Sequence, residues 1–371
     1  MPTHLRTLAV CAAIMGGVAT LRPASADILI GMSAPINGDN ALVGAQLSAG
    51  AETAVADFNL RGGVLGEKLV LQIEDDGCNA RRAVPVANKL IAQKVGFVLG
   101  GWCSGVDLPA SSIFADNGTV EISLASNEAI TEQGFDGLFR INGRNDRQGK
   151  LLADFIATHH SGQRVALVSD RSAYAIGLIA HLRSALKAQA GVVVALDQSI
   201  DAGTKDFSAL VAGFKDTAID VVTFVGYPTE AGLIVAQATA AGLKAEFVSG
   251  NSMGNRKFWD VAGKAGQGLV FTCPTAVDLL PSAQDTVTEF KSKGKTADGY
   301  TLYAYAGVQL LADAITRAKS TNPETVAGEL QKGGIPTVLG NISFDDKGDI
   351  LQPIWRLCRW SEGSYAYYSA E

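Results

Sequence analysis

Short apolar runs of strand length alternate with helix-period segments along nearly the whole chain, and the alternation is played through twice. Asp27 to Pro35 (DILIGMSAP) is an apolar run stopped by proline, the pattern of a parallel strand buried on both faces. Leu47, Ala51, Ala54, Val55 and Phe58 then recur at helical spacing, and Gly62-Gly63 close that segment. KLVLQIEDD and VPVANKLIAQ repeat the step, and GFVLGG, TVEISLA and GLFRING extend it. After GRNDRQG the rhythm restarts with RVALVSD, a helix over 174–190, GVVVALDQSI, DFSALVAGF, AIDVVTFVGY, EAGLIVAQATAAG, AEFVSG and GLVFTC. Such alternation predicts an α/β fold of two doubly wound parallel-sheet lobes. Beyond Cys273 the pattern changes to helices over 283–292 and 300–319, then GNISFDDKGD and IWRLCRWSEGSYAYY. The last segment alternates and predicts a hairpin turning at Glu362-Gly363. This tail is expected to recross between the lobes rather than to form a third domain.

The first 26 residues are set apart from the fold. Arg6, an apolar run from Leu8 to Thr20 and the closing Ala24-Ser25-Ala26 predict an export signal cleaved after Ala26. The run is short for an uncleaved anchor, since a bilayer span needs about 20 apolar residues. A lipid attachment at Cys11 would split that run and is not expected. The whole chain has a formal net charge of −6, and the segment removed carries Arg6 and Arg22 but no acid. That balance argues against nucleic acid and anionic membrane surfaces as partners.

Catalytic patterns fail on their partners. Gly250-Asn251-Ser252-Met253-Gly254 matches the nucleophile elbow G-x-S-x-G between a strand and a helix. That fold needs a histidine after the serine, yet His4, His159, His160 and His181 all precede Ser252. GRNDRQGKL has the wrong spacing for a phosphate loop and reads as a crossover leading into a helix. His159-His160 reads as a solvated pair at that helix's end. No Cys-x-x-Cys and no His/Cys cluster has metal-ligand spacing, so neither a metal nor another cofactor is expected.

Cys11 leaves with the signal, so Cys78, Cys103, Cys273 and Cys358 remain, an even set in an oxidising compartment. Cys78 and Cys103 each follow the carboxyl end of a predicted parallel strand, where open α/β sheets bind ligands. A bridge between those loops is favoured over a reactive thiolate, which would need a nearby base. In FVLGGWCSGVDLP, Ser104 and Gly105 then start a helix whose free N–H groups and hydroxyl suit a ligand carboxylate. The plainer alternative is that Ser104 only caps the helix.

GAETAVADFNLRGGVLGEKLVLQIEDDGCNARRAVPVANKLI, CSGVDLPASSIFADNG, DRSAYAIGL, AGTKDFSALVAGFK, GYPTEAGLIVAQATAAGLKAEFVS and TVLGNISFDDKGD together resemble the periplasmic leucine/isoleucine/valine-binding proteins of ABC transporters. The resemblance runs in order through the segment after residue 26. It implies two lobes, 27–145 with 276–353 and 146–275 with 354–371, joined by a three-crossover hinge that closes on a ligand. It also implies a monomeric periplasmic receptor, partnered by ABC permease subunits, with no enzymatic activity. By position the family's disulfide falls on Cys78–Cys103, its carboxylate-binding serine on Ser104, and a lining carbonyl on Ala125. Aromatic and tyrosine contacts fall on Tyr174 and Tyr227, and Trp102 would supply a further apolar wall.

The chain departs from that pattern where the family holds an amino acid's ammonium. The family's glutamate aligns with Asn251, a threonine with Asn127, and a first-lobe loop aromatic with Val43. Burying an ammonium without its carboxylate partner is costly. The expected ligand is therefore a small carboxylate-bearing molecule of the amino-acid class, favouring an amide, a keto or hydroxy acid, or an aromatic acid. A sensor subunit for a signalling partner is the alternative use of the same fold. Cys273 and Cys358 lie near expected crossovers, where a second bridge beside the hinge is possible.

Overall fold

A computed structural model describes residues 27–369. The expected export signal and Cys11 lie outside the described residues.

The first lobe is built on five parallel strands: β1 (Ile28–Ala34), β2 (Leu69–Asp75), β3 (Phe97–Leu99), β4 (Val120–Ser123) and β5 (Leu138–Arg140). Helices α1 (Ala41–Leu60), α2 (Ala83–Ala92) and α3 (Ser104–Asp116) connect them. Central β3 and β4 are buried at every residue, whereas edge strand β2 is mostly half-buried. The second lobe follows with α4 (Asn145–His159), β6 (Arg164–Ser169), α5 (Ala173–Lys187), β7 (Val193–Ser199), α6 (Ser208–Asp216) and β8 (Val221–Val225). Next come α7 (Pro228–Ala240), β9 (Glu246–Ser249), α8 (Arg256–Ala262) and β10 (Val270–Pro274).

Strand order shows why both halves bind at one edge. The first sheet runs β2-β1-β3-β4-β5, and the parallel part of the second runs β7-β6-β8-β9-β10. These are the same doubly wound order, with the direction of winding reversing between β1 and β3 and again between β6 and β8. Crossovers diverge at such a point and leave a crevice outside the strands' carboxyl ends. Each lobe thus brings one crevice, and the chain turns the two toward each other.

The remaining chain closes the first lobe and then returns to the second. Helices α9 (Gln284–Ser292), α10 (Thr301–Ala318) and α11 (Pro323–Lys332) and the hairpin β11 (Ile335–Thr337)–β12 (Gly340–Ile342) follow β10. Helix α10 is buried almost all round because it is wedged among α1, α11, β3 and β11. Gly50 permits that approach, since a Cβ there would strike the Thr301 carbonyl oxygen. Strand β13 (Trp355–Ser361) then adds antiparallel to β10 in the second sheet, and β14 (Ser364–Tyr367) adds antiparallel to β13. Their turn places Glu362 and Gly363 at φ 49° and 83°, the left-handed geometry of a two-residue hairpin and the turn expected there.

Two bridges fix this arrangement. Cys78–Cys103 ties the loops after β2 and β3, with a sequence separation of 25. Cys273–Cys358 spans a separation of 85 and links the adjacent strands β10 and β13. The second bridge thus lies inside the second sheet, at the end where β10 and β13 meet the segments that cross between the lobes.

Where the chain passes between lobes, charge replaces apolar packing. Arg140 Nε donates to Asp349 Oδ1 at 2.6 Å and Arg144 Nη1 to Asp349 Oδ2 at 2.6 Å. Arg140 also donates to the Asn127 carbonyl at 2.6 Å and to Thr131 Oγ1. Burial alone would raise the Asp349 carboxyl, but the two guanidiniums outweigh it and hold it low. Trp355 Nε1 donates to the Arg144 carbonyl at 2.8 Å, joining the return segment to the same node. Among the described residues no helix is long and apolar enough to cross a membrane.

Two stability measurements follow. Loop entropy predicts that Cys78→Ser with Cys103→Ser costs about 3 kcal/mol and that Cys273→Ser with Cys358→Ser costs roughly 4–5 kcal/mol. Urea midpoints of the two double variants, measured side by side, check the order. Asp349→Asn strands the buried Arg140 charge and should cost about 3 kcal/mol or more in the same assay. Stability conferred by a depressed carboxyl is present above the ordinary carboxylate range and lost below it. Wild type should therefore lose the Asp349 contribution on acidification, and the variant should show a shallower acid limb.

Candidate functional site

The loop after β3 enters α3 through Cys103, the N-cap residue, so Ser104 is the first helical residue and does not cap. Its hydroxyl, buried at 1 % exposure, accepts the Asn127 N–H from the loop after β4 at 3.3 Å. Sequence reading placed the capping role one residue late because Ser is a common cap and Cys is not. Gly105 follows, and a Cβ there would touch Ala80 at 3.7 Å and Ala173 of the opposite lobe at 3.9 Å. Ala125 is fully buried in a small cluster with Ile130 and Leu138, and its N–H donates to Ser123 Oγ at 3.3 Å.

From the second lobe, Tyr174 lies in the first turn of α5 and Tyr227 is the N-cap of α7. Four aromatic rings form a chain across the cleft. Trp102 lies 5.6 Å from Tyr300 and 5.9 Å from Tyr227, and Tyr227 lies 5.9 Å from Tyr174, centroid to centroid. Burial pushes the hydroxyls of Tyr174, Tyr227 and Tyr300 upward, so all three are neutral donors. These distances suit offset or edge contacts between rings.

Hydrogen bonds also cross from lobe to lobe. Asn127 Nδ2 donates to the Ala173 carbonyl at 2.6 Å, and Asn251 Nδ2 donates to the Tyr300 hydroxyl at 2.7 Å. Gln148 on α4 holds the other side of Asn251. Its Nε2 donates to Asn251 Oδ1 at 3.0 Å, while its Oε1 accepts the Asn251 N–H at 3.2 Å and the Tyr174 hydroxyl at 3.3 Å. The expected residues Trp102, Ser104, Asn127, Tyr174, Tyr227 and Asn251 are thus gathered in one interlobe cluster with the lobes in contact. A cavity of about 670 Å³ lies between the lobes near α1, lined by residues including Gln46, Arg256 and Tyr365. Ser104 is not among its lining residues.

Several expectations need correction. Val43 is no loop residue: it lies in the first turn of α1, packed into the first-lobe core at 2 % exposure. His160 is buried beside Phe155, with Nδ1 2.8 Å from Gln163 Oε1, so the histidine pair is not solvated throughout. Ser252 donates its hydroxyl to the Gly226 carbonyl at 2.6 Å, which commits its proton to the backbone.

Sequence reading missed Tyr300 and Gln148, and also two buried carboxylates at strand ends. Asp76 accepts the Ser33 hydroxyl at 2.8 Å and the Cys78 N–H at 2.7 Å. Asp170 accepts N–H groups from Ser172 at 2.9 Å and Tyr227 at 3.1 Å. Burial raises both carboxyls, and those donors hold them partly back. Both brace loops that carry residues expected at the site. The signal was legible in IEDD and VSD, where acids stand at the ends of apolar strands.

The comparisons with known proteins agree with this geometry. The family model of the periplasmic binding proteins matches residues 27–364. A Leu/Ile/Val-binding protein homolog 1 of Brucella melitensis is 39 % identical over 346 residues, 93 % of each chain. The crystal structure of LivJ from Streptococcus pneumoniae, a branched-chain amino acid transporter substrate-binding protein in complex with isoleucine, superposes with TM-score 0.82 at 26 % identity. It covers 91 % of this chain and 97 % of its own. LivK of Thermotoga maritima, a leucine-binding protein, superposes with TM-score 0.85 at 24 % identity over 92 % of this chain and 98 % of its own, which speaks to fold alone. These relatives are solute-binding proteins and not enzymes. With the two facing crevices and the interlobe cluster, the match over nearly the whole described length shows that this chain belongs to the leucine/isoleucine/valine-binding family of periplasmic binding proteins of ABC transporters.

Proposed function

We propose that the chain is a monomeric periplasmic receptor that traps a small carboxylate-bearing ligand between its lobes and presents it to ABC permease subunits. The lobes are taken as 27–145 with 276–353 and 146–275 with 354–371. In this reading Ser104, Gly105 and the neighbouring N–H groups hold the carboxylate at the start of α3, where the helix dipole favours negative charge. The carbonyl of Ala125 and the rings of Trp102, Tyr174, Tyr227 and Tyr300 wall the remainder. The export signal is cleaved after Ala26.

The observation that carries the ligand class is the hydrogen bonding of Asn251. Its amide accepts from Gln148 and donates to Tyr300, so both of its polar atoms are engaged by protein. A neutral, engaged amide stands where an α-ammonium would need a carboxylate, and an unpaired buried ammonium is costly. Asn127 likewise donates its amide to Ala173 and accepts from the Ala129 N–H at 2.9 Å. This favours an amide-bearing, keto, hydroxy or aromatic acid over leucine, isoleucine or valine. LivJ is described as a transporter substrate-binding protein, which supports the transport reading over a sensor role.

A thermal-shift screen with leucine, its keto and hydroxy acids, an amide-bearing acid and benzoate tests the class, because ligand bound only by the native state raises Tm. The acids lacking an α-ammonium should raise Tm, and calorimetry should show no micromolar binding of leucine, isoleucine or valine. Ser104→Ala should weaken the responding acid by roughly 10- to 100-fold, the worth of one hydrogen bond to a charged group. Micromolar binding of branched-chain amino acids, indifferent to Ser104→Ala, would contradict both the class and the carboxylate site.

A further inference from the structure

Two carboxyl groups lie buried beneath the loop that carries Trp102, Cys103 and Ser104. Asp107 on α3 is 0 % exposed and Glu121 on β4 is 1 % exposed. Their oxygens converge on Gly100, where a Cβ would collide with Glu121 Oε1 and lie 2.7 Å from Asp107 Oδ1. Only glycine fits there.

The two groups are used differently. Both Asp107 oxygens are fixed by donors from the two binding loops: Oδ1 accepts the Gly101 N–H at 2.6 Å and Oδ2 accepts the Ser123 hydroxyl at 2.5 Å. Ser123 Oγ in turn accepts the Ala125 N–H, so Asp107 ties the loop before Ser104 to the loop before Asn127. Glu121, by contrast, receives no backbone N–H among the described residues, and the one hydroxyl beside it, Ser111, offsets little of its burial. The nearby Ser111 hydroxyl is engaged by the Asp107 carbonyl at 2.7 Å. The positive group facing Asp107 is Arg140 on β5, itself buried and committed to Asp349, Thr131 and the Asn127 carbonyl.

Two ionised carboxylates cannot share such a site. Burial, then the Asp107 charge, pushes Glu121 well above the carboxylate range. Burial also raises Asp107, while its hydrogen bonds and Arg140 hold it back. A protonated Glu121 resolves the conflict, because its O–H becomes a donor to the Asp107 carboxylate.

We propose that Glu121 is a positioning residue: it remains a neutral acid, donates its proton to Asp107, and so lets Asp107 hold the Gly101 and Ser123 loops in register. Loss of that proton places two charges side by side and drives Asp107 off the Gly101 N–H. The effect on affinity rests on the reading of Ser104 as a ligand contact; the effect on the loops does not.

The test uses ¹H–¹⁵N spectra of the ligand-free protein from about pH 5 to about pH 9, following the Gly101 and Asn127 amides. In wild type both should move in one shared step above the ordinary carboxylate range, and Glu121→Gln should hold them near their low-pH positions throughout. A ¹³C carboxyl spectrum of wild type at neutral pH needs no variant and should place Glu121 at the shift of a neutral acid. An ionised Glu121 at neutral pH overturns the proposal, as does a shared step of the two amides that Glu121→Gln leaves unchanged. If the step is present but binding of the leucine keto acid is unchanged across it, the pair stands and the Ser104 reading fails.

Discussion

Every parallel strand ends by releasing backbone N–H and C=O groups that have left the ladder, and each must find a new partner. In this molecule that obligation falls on the same edge of both sheets, because both share one winding order. The loops there cannot be covered by helices, which diverge at the reversal. They are held instead by acids at or just beyond the strand ends, and in one case by an acid in the first turn of the following helix. Asp75 accepts N–H groups from Ile36 and Gly77, Asp76 from Cys78, Asp107 from Gly101, and Asp170 from Ser172 and Tyr227. For Asp75, those bonds together with Asn37 and Arg82 outweigh its burial and hold its carboxyl at about 2. The crevice is therefore made rigid by charge rather than by apolar filling, which leaves its surface free for a ligand.

The same economy governs the passage between lobes. A hinge packed with apolar side chains would resist reopening, since buried area sets its stability. Here Arg140, Arg144 and Asp349 join the end of β5, the start of α4 and the returning segment through directional bonds. Such bonds specify where the chain crosses without gluing the two lobes face to face. The polar contacts that join the faces include Asn127 with Ala173, Asn251 with Tyr300 and Glu128 with His181, beside the aromatic chain.

Much of the fold was legible because its elements are local. The strand–helix periodicity, the hairpin at Glu362-Gly363 and the bridge Cys78–Cys103 depend on short patterns that survive without tertiary context. Strand order is not local, and the sheet edge at which Cys78 and Ser104 meet had to come from analogy to open α/β sheets. Helix α11 was missed although its start, Asn322 capping at Thr325 N and Pro323 in the first turn, is a recognised signal. Tyr300 and Gln148 escaped for a topological reason. Tyr300 reaches the cluster only because the chain recrosses to place α10 against α1, and Gln148 because α4 begins at a crossover. Asp107 and Glu121 belong to different elements, and no single-segment pattern shows that a helix acid and a strand acid face one glycine.

The central claim is that a small acid draws the two lobes together around the Ser104 loop. Small-angle X-ray scattering measures that movement directly, by comparing the radius of gyration before and after addition of an acid identified by screening. A decrease in wild type that Ser104→Ala shows only at roughly 10- to 100-fold more acid is the predicted result. A radius unchanged by saturating, calorimetrically verified binding would show that the molecule does not close on its ligand and would contradict the account.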